Sequence, residues 1–212
     1  MSLSPHAYAM RAGQKMGDAR FVDTMIKDGL WDAFNGYHMG QTAENVAQQW
    51  QISREQQDEF AVASQNKAEA AQKAGKFDDE VIAFTIKTRK GDIVVDKDEY
   101  IRHGATMEAM QKLRPAFTKD GSVTAANASG LNDGAAAVLL ANEDWARKKN
   151  LPILAYLTFA KVAAVDFVSS EGLLMAPAYA VSEMLKDADL ALQDFDFYEI
   201  HEAFAAQTIA TM

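Results

Sequence analysis

Two histidines stand at the starts of predicted helices, where a side chain could act on a bound ligand. His38 comes just before a helix that begins after Gly40, and His201 lies between the segment 195–200 and the helix that follows it. Open α/β folds bind ligands where the carboxyl end of a strand meets a helix N-terminus. A ring N–H of His201 could donate to a water or to an oxyanion, whereas the local pattern around His38 alone favours a structural role.

A stretch of small residues at 124–137 could bring the backbone close to a ligand. Gly130 and Gly134 are four apart and are flanked by Asn127, Asn132 and Asp133, which favour a tight bend. The next run, 135–141, is apolar at every position and predicts a strand covered on both faces. A tight turn before a core strand, with no ligand, is the alternative.

One basic cluster could bind a phosphate or an adenine. Arg102 and His103 are adjacent, and Lys112 and Arg114 follow shortly after. Guanidinium and imidazole groups suit phosphate oxygens. Solvated surface charge is the alternative.

The composition excludes several classes of site. There is no cysteine, so disulfides, thiolate metal sites and cysteine nucleophiles are excluded, and no metal site is predicted. A net charge of −9 argues against a nucleic-acid partner and a polybasic membrane surface. No apolar run approaches the ~20 residues that span a bilayer, and the first residues lack a signal-peptide pattern, so a cytoplasmic location is the default.

The elements before residue 120 predict a small α+β region. The first 35 residues predict loop and one or two helical turns, and Thr42 is a candidate cap for the next helix. Ser53 and Gln56 have the form of a capping box, which predicts a long helix ending near Gly75. Its polar residues, including Gln57 and Asp58, are interpreted as a solvated face. Residues 81–88 and 93–95 predict two strands joined by a turn.

The elements after residue 130 predict a different architecture. Strands at 135–141, 153–164 and 195–200 alternate with helices at 142–150, 178–187 and 202–212. Pro177 lies in the first turn of the middle helix, where its missing N–H costs nothing. This alternation predicts a layered α/β core, with a boundary near residues 120–135.

Three segments resemble motifs of the thiolase family, in its acetyl-CoA acetyltransferase branch. They are His-Met-Gly-x-Thr-Ala-Glu-Asn-Val-Ala at 38–47, Asn-Ala-Ser-Gly-Leu-Asn-Asp-Gly-Ala-Ala-Ala at 127–137, and His-Glu-Ala-Phe-Ala-Ala-Gln at 201–207. The resemblance covers essentially all 212 residues. It implies an α/β, thiolase-like layered fold, with an α+β loop domain at 1–131 and part of the C-terminal βαβα core repeat at 132–212.

The resemblance also implies a binding site for coenzyme A and its acyl group. His201, where thiolases usually carry asparagine, is implied to be the oxyanion-hole donor or to hold the water that serves there. Arg102 is implied to meet the nucleotide end of CoA, and Ser129 to hydrogen-bond the pantetheine arm. The other implied contacts with CoA or substrate are Leu30, His38, Met39, Phe117, Ala125, Ala128, Ala203 and Phe204.

The implied reaction condenses two acetyl-CoA to acetoacetyl-CoA, or cleaves 3-ketoacyl-CoA with CoA, through an acyl-cysteine. That cysteine and the Gly-His-Pro and Cys-Gly-Gly-Gly motifs are absent, so the chain resembles about the middle half of a thiolase, and on its own it is expected to be inactive. CoA is implied as a substrate and no cofactor is implied; the complete protein is expected to form a homo-oligomer, a tetramer. A non-catalytic CoA-binding or assembly module, or an inactive truncated gene product, are the alternatives.

Overall fold

The structure is a computed structural model that describes residues 1–168 and 172–212. The chain divides into two compact units, each built from two separate stretches. Unit 1 comprises Met1–His38 and Leu131–Glu199, and unit 2 comprises Met39–Gly130 and Ile200–Met212. The predicted domains 1–131 and 132–212 stay a prediction.

Unit 2 contains a group of packed helices and one hairpin. Its elements are α1 (Met39–Gln49), α2 (Arg54–Lys73), β5 (Phe84–Thr88), β6 (Gly91–Val95), α3 (Met107–Gln111) and α6 (Ala205–Thr211). α6 packs against α1 and α2, and α3 packs against α2. Fully buried core residues include Ala43 and Val46 of α1, Val123 and Ala206. The helical core is therefore built largely from small side chains, which let the backbones approach closely.

α2 begins as the sequence predicts. Ser53 is its N-cap, its hydroxyl accepts a hydrogen bond from the backbone N–H of Gln56, and the Gln56 side chain accepts from the N–H of Ser53. The capping box satisfies two of the N–H groups that a helix start leaves without partners. β5 and β6 form the predicted antiparallel hairpin, with Ile86 opposite Ile93. The predicted cap at Thr42 is wrong, because α1 already begins at Met39 and Thr42 lies buried inside it.

Unit 1 has short elements and long stretches without regular structure. They are β1 (His6–Ala7), β2 (Val22–Asp23), a π-helical turn (Met25–Leu30), β3 (Trp31–Asp32), β4 (Tyr37–His38), α4 (Glu143–Lys148), 3₁₀ turns at Leu173–Met175 and Leu192–Asp194, and α5 (Ala176–Ala188). β1 pairs with β2 and β3 with β4, both antiparallel. α4 and α5 confirm the predicted helices, and Pro177 lies in the first turn of α5.

The three strands predicted after residue 130 are wrong. Residues 135–141, 153–164 and 195–200 are not assigned as strands, and most of their apolar side chains are exposed. Within the described part of the chain, no backbone–backbone hydrogen bond joins residues 134–141 or 152–164 to another residue. A strand needs the hydrogen bonds of a neighbouring strand, and none lies beside these segments in the ranges that the structure describes. The predicted buried faces are exposed for the same reason.

No helix within residues 1–168 and 172–212 is both long and apolar enough to cross a bilayer.

Candidate functional site

A loop at residues 121–130 of unit 2 is fixed first by Glu44 of α1. The Glu44 carboxylate is buried and accepts hydrogen bonds from the Ser122 N–H at 2.8 Å, the Ser122 hydroxyl at 2.9 Å and the Val123 N–H at 2.9 Å. Gly121 lies so close that a Cβ there would stand 2.1 Å from a carboxylate oxygen of Glu44. The start of the loop is thus held by a charged acceptor and by the absence of a side chain at position 121.

The same loop is fixed a second time by Asp58 of α2. Asp58 is fully buried and accepts from Arg54 Nε at 2.7 Å and from Asn127 Nδ2 at 3.0 Å. Arg54 Nη2 also donates to the carbonyls of Met110, at 2.8 Å, and Leu113, at 3.1 Å. Asp58 is therefore paired with a cation that is itself held in place, which is the condition for burying a carboxylate without a large penalty.

The loop then runs beside the segment that precedes α6. Ala128 and Phe204 form an antiparallel bridge, the Ser129 N–H donates to the Ala203 carbonyl at 2.9 Å, and the Ala205 N–H donates to the Asn127 carbonyl at 2.9 Å. These bonds bring together four of the predicted site residues, Ala128, Ser129, Ala203 and Phe204. Ser129 is exposed, while Phe204 is buried.

Phe117 extends this group on its apolar side. Its ring centroid lies 6.3 Å from that of Phe204 at an interplanar angle of 78°, an edge-to-face contact. A Cβ on Gly40 would stand 2.4 Å from the Phe117 ring, so α1 approaches the ring closely at that glycine. Met39 is the first residue of α1 and is half-buried. Ala125 is exposed in the same loop as Ala128.

His201 lies on the chain just before this bridge. Its side chain is exposed, and its carbonyl accepts from the Ala203 N–H at 2.9 Å in a tight turn. Glu202 accepts from the Ser64 hydroxyl of α2 at 2.6 Å. The predicted helix start at Glu202 is wrong, because α6 begins at Ala205, where the first N–H is already bonded to the Asn127 carbonyl.

The basic segment of unit 2 is held against α2 by its backbone and by His103. The Arg102 N–H donates to Gln65 Oε1 at 2.9 Å, the Gly104 N–H to Glu69 Oε2 at 2.7 Å, and His103 Nε2 lies 2.7 Å from Gln72 Oε1. The Lys73 side chain and the Gly104 N–H lower the pKa of Glu69. Arg102 is exposed, and no carboxylate of residues 1–168 or 172–212 lies within ion-pair distance of its guanidinium. Its charge is therefore available to an anion.

Leu30 and His38 belong to unit 1. Leu30 ends the π-helical turn and is half-buried, and His38 lies opposite Trp31 in the β3–β4 pair. Burial lowers the pKa of the His38 imidazole below its ordinary value of 6.5. The neutral ring is therefore favoured at physiological pH.

The residues that support the loop were not all visible in the sequence. Asp58 and Gln57 were interpreted as a solvated face of α2, and this is wrong, because both are fully buried. The available signal was Arg54, placed one helical turn before Asp58 with the spacing of an ion pair. Glu44 lies in a motif that was noted, but its bonds to Ser122 and Val123 join residues 78 and 79 positions away.

Comparison with known proteins gives consistent similarities. Residues 1–144 match the family model "Thiolase, N-terminal domain", and residues 151–212 match "Thiolase, C-terminal domain". The acetyl-CoA acetyltransferase of Paracoccus denitrificans is 61% identical over 210 residues, which are 99% of this chain and 53% of the relative. The cytosolic acetyl-CoA acetyltransferase of Rattus norvegicus is 49% identical over 212 residues, with the same two coverages. The chain thus spans about half the length of the curated relatives it matches.

Solved structures agree with these sequence matches. Human mitochondrial 3-ketoacyl-CoA thiolase matches with a TM-score of 0.89 at 40% identity, over 99% of this chain and 53% of that one. The Bacillus anthracis acetyl-CoA acetyltransferase matches with a TM-score of 0.86 at 43% identity, over 97% of this chain and 52% of that one. These likenesses confirm the predicted α/β, thiolase-like fold class.

Proposed function

The chain belongs to the thiolase family, and from that premise we propose that it forms the coenzyme A-binding part of an acetyl-CoA acetyltransferase. Within a longer thiolase it would serve the condensation of two acetyl-CoA to acetoacetyl-CoA, or the cleavage of 3-ketoacyl-CoA by CoA. The observation that carries the proposal is the bridge that sets Ala128 and Ser129 beside Ala203 and Phe204. The relatives that match along 99% of this chain carry the name acetyl-CoA acetyltransferase.

The residues of the bridge have the chemistry that a thioester substrate with a pantetheine arm requires. The exposed Ser129 hydroxyl can donate a hydrogen bond to an amide of that arm or accept one from it. The edge-to-face pair of Phe117 and Phe204 provides an apolar surface for the methylene groups of the arm. The exposed guanidinium of Arg102 suits the phosphates of the nucleotide end. His201 is the donor in this unit for an oxygen on which negative charge develops, directly or through a water.

The covalent step needs a residue that this chain does not carry. Acyl transfer through a thioester intermediate requires a thiolate, and the sequence contains no cysteine. We therefore expect the isolated 212-residue chain to cleave acetoacetyl-CoA no faster than buffer does. This absence favours a second candidate function for the isolated chain, a CoA-binding or assembly module without chemistry. Turnover above background by a sample purified from a thiolase-deficient host would contradict the expected inactivity of the isolated chain and also this second candidate function.

A CoA titration tests the site itself. The wild-type chain should bind CoA weakly, and Arg102→Ala should weaken binding most, because losing one charged hydrogen bond costs roughly 1.5–3 kcal/mol, about ten- to a hundredfold in affinity. Ser129→Ala should weaken it less. The effect of Arg102→Ala should shrink as salt rises, since the contact is exposed and screened.

Arg147→Ala is the matched control, because it removes the same side chain from α4 in unit 1, where Arg147 pairs with Glu143. It should leave the affinity for CoA unchanged. Equal affinity of wild type and Arg102→Ala would contradict the assignment of the nucleotide end. Homotetramer formation and a cytoplasmic location belong to the same proposal for the longer protein; the first is supported by the family resemblance, and the second by the cytosolic relative of Rattus norvegicus.

A further inference from the structure

Asn127 is hydrogen-bonded in three directions although it lies next to the exposed part of the loop. Its side chain is only 3% exposed. Nδ2 donates to Asp58 at 3.0 Å and to the Ser122 carbonyl at 3.1 Å, and Oδ1 accepts from the Thr124 N–H at 2.7 Å. The side chain thus uses both donor hydrogens and its acceptor, the full capacity of a primary amide apart from a second lone pair.

The backbone of the same residue holds the other side of the site. The Asn127 carbonyl accepts from the Ala205 N–H, the first N–H of α6, at 2.9 Å. Two residues later the Ser129 N–H donates to the Ala203 carbonyl, also at 2.9 Å. Asn127 therefore fixes the loop to α2 through its side chain, and to the segment 201–205 through its carbonyl.

Asp58, the residue of α2 that Asn127 contacts, is itself held in a fixed position. Asp58 has no exposed surface, and its second oxygen is bonded to Arg54, whose guanidinium also donates to two carbonyls near α3. A buried carboxylate with a charged partner and a neutral amide donor is satisfied in a fixed geometry. Any side-chain motion of Asn127 would leave Asp58 with an unpaired oxygen away from water.

We propose that Asn127, through its hydrogen bond to Asp58, is a positioning residue for the CoA site, setting the distance between Ser129 and the segment from His201 to Phe204. This inference rests on the proposed function, because it assigns a role to Asn127 only if Ser129 and Phe204 bind CoA. It also makes a structural claim that does not depend on a ligand. Asn127 should control the hydrogen bonds of Ser129 and Ala205 whether or not CoA is bound.

Only an amide meets the requirements at position 127. An aspartate of the same shape would still accept from the Thr124 N–H, but it would lose both donor hydrogens and set a second negative charge beside Asp58. An asparagine at position 58 could still accept from Asn127 through its oxygen, but its NH₂ group would then face the guanidinium of Arg54, a donor against a donor. Making both changes restores one donor and one acceptor between the two positions, with the polarity reversed.

The test combines amide hydrogen exchange with CoA titration on the full 212-residue chain. We expect Asn127→Asp to speed exchange of the Ser129 and Ala205 amides by about tenfold and to weaken CoA binding by at least about tenfold, because the buried charge-assisted hydrogen bond to Asp58 is lost together with the bond to the Ser122 carbonyl. Asp58→Asn should act in the same direction but less, and it serves if the first variant does not fold. The double variant should recover at least half of each loss on a logarithmic scale.

Ser53→Ala is the matched control for α2. It removes the cap hydroxyl, which accepts from the Gln56 N–H, and leaves Asp58 and Asn127 in place. It should lower the melting temperature without a selective change at Ser129 and Ala205 or in CoA affinity. A control that changes both as Asn127→Asp does would reduce Asn127 to a general stabilising residue and overturn the inference.

The outcomes separate this inference from the proposed function. If wild type binds CoA and the exchange of Ser129 and Ala205 is unchanged in Asn127→Asp and Asp58→Asn, the positioning role is wrong and the CoA site stands. If wild type does not bind CoA at all, the proposed function is wrong, and so is the assignment of Asn127 to a CoA site. Faster exchange with unchanged affinity overturns the functional part alone.

Discussion

The two units bury different kinds of groups. Unit 2 buries polar side chains, and two of them, Asp58, fully buried, and Asn127, nearly so, are hydrogen-bonded to each other. Unit 1 leaves large apolar side chains exposed: Val138 is 83% exposed and Leu154 is 93% exposed. Unit 2 can do this because helices satisfy their own backbone, so that side chains are left to pair with each other. The extended stretches of unit 1 require backbone partners that the described residues do not provide.

The largest expected effect lies at Glu44. Glu44→Ala should lower the free energy of unfolding of unit 2 by about 3 kcal/mol or more, because buried N–H groups of Ser122 and Val123 would lose their acceptor. Denaturant unfolding followed by helical circular dichroism measures it. Glu143→Ala in unit 1 is the control, since Glu143 is exposed, and it should have little effect. Equal losses of unfolding free energy in Glu44→Ala and Glu143→Ala would contradict the difference between the two units.

A pair of glycines sharpens the same contrast. Gly121→Ala would push a Cβ against Glu44 and Thr118, and we expect a loss of about 1–3 kcal/mol in the free energy of unfolding. Gly134→Ala in unit 1 meets no atom within 4 Å. It should be neutral or slightly stabilising, because alanine restricts the unfolded chain. Thermal melts of the two variants compare them directly, and a destabilised Gly134→Ala would show that residues 131–141 are packed in solution.

The pH dependence of unit 1 should report on His38. Burial lowers the pKa of His38 below 6.5 in the folded protein, so the unfolded chain takes up its proton first as the pH falls. The stability associated with neutral His38 is therefore present above about pH 6.5 and is lost as the pH falls from there towards the lower, folded pKa. Unfolding measured between pH 7.5 and 5 should show this slope, and His38→Gln should flatten it.

Asp32 provides the contrast within the same turn. The Asn35 side chain and the Asn35 and Phe34 N–H groups lower the pKa of Asp32, against the opposing effect of burial. Its contribution to stability is present above the unfolded value near 3.8 and is lost as the pH falls through the lower, folded pKa. Asp32→Asn should therefore lower stability at every pH above about 4 and change the slope of the curve only at low pH. An unchanged slope in His38→Gln would contradict the burial of that ring.

The smallest expected effect on stability lies at Leu154. Leu154→Ser should change the free energy of unfolding by no more than about 0.5 kcal/mol, since an exposed side chain gains nothing from folding. It should nevertheless reduce self-association in sedimentation velocity, because exposed apolar surface drives association. Leu154→Ile keeps the apolar surface and should associate as wild type does. A loss above about 1 kcal/mol in Leu154→Ser would mean that the residue is covered.

Local signals in the sequence predicted local structure correctly. The Ser53 capping box, the hairpin around Gly91 and the helix at Pro177 depend on residues only a few positions apart. Hydrophobic runs at 135–141 and 153–164 predicted strands, but a run cannot show whether a partner strand lies beside it. The polarity of Asp58 predicted exposure, because its partner Asn127 is 69 positions away and no local pattern reveals it. The grouping of Ser129 with Phe204 was predicted only from family resemblance.

The division of unit 2 into two stretches sets an order for its assembly on the ribosome. Glu44, Asp58 and the loop that they hold are all synthesised before residue 131, but the Ala205 N–H that meets the Asn127 carbonyl is synthesised about 75 residues later. At about 5–20 residues per second, the roughly 75 residues from 131 to 205 take about 4–15 s to make. During that time Asn127 is held on its α2 side alone. We therefore expect α6 to dock last, onto a loop that is already anchored, and contacts of such long sequence separation slow folding.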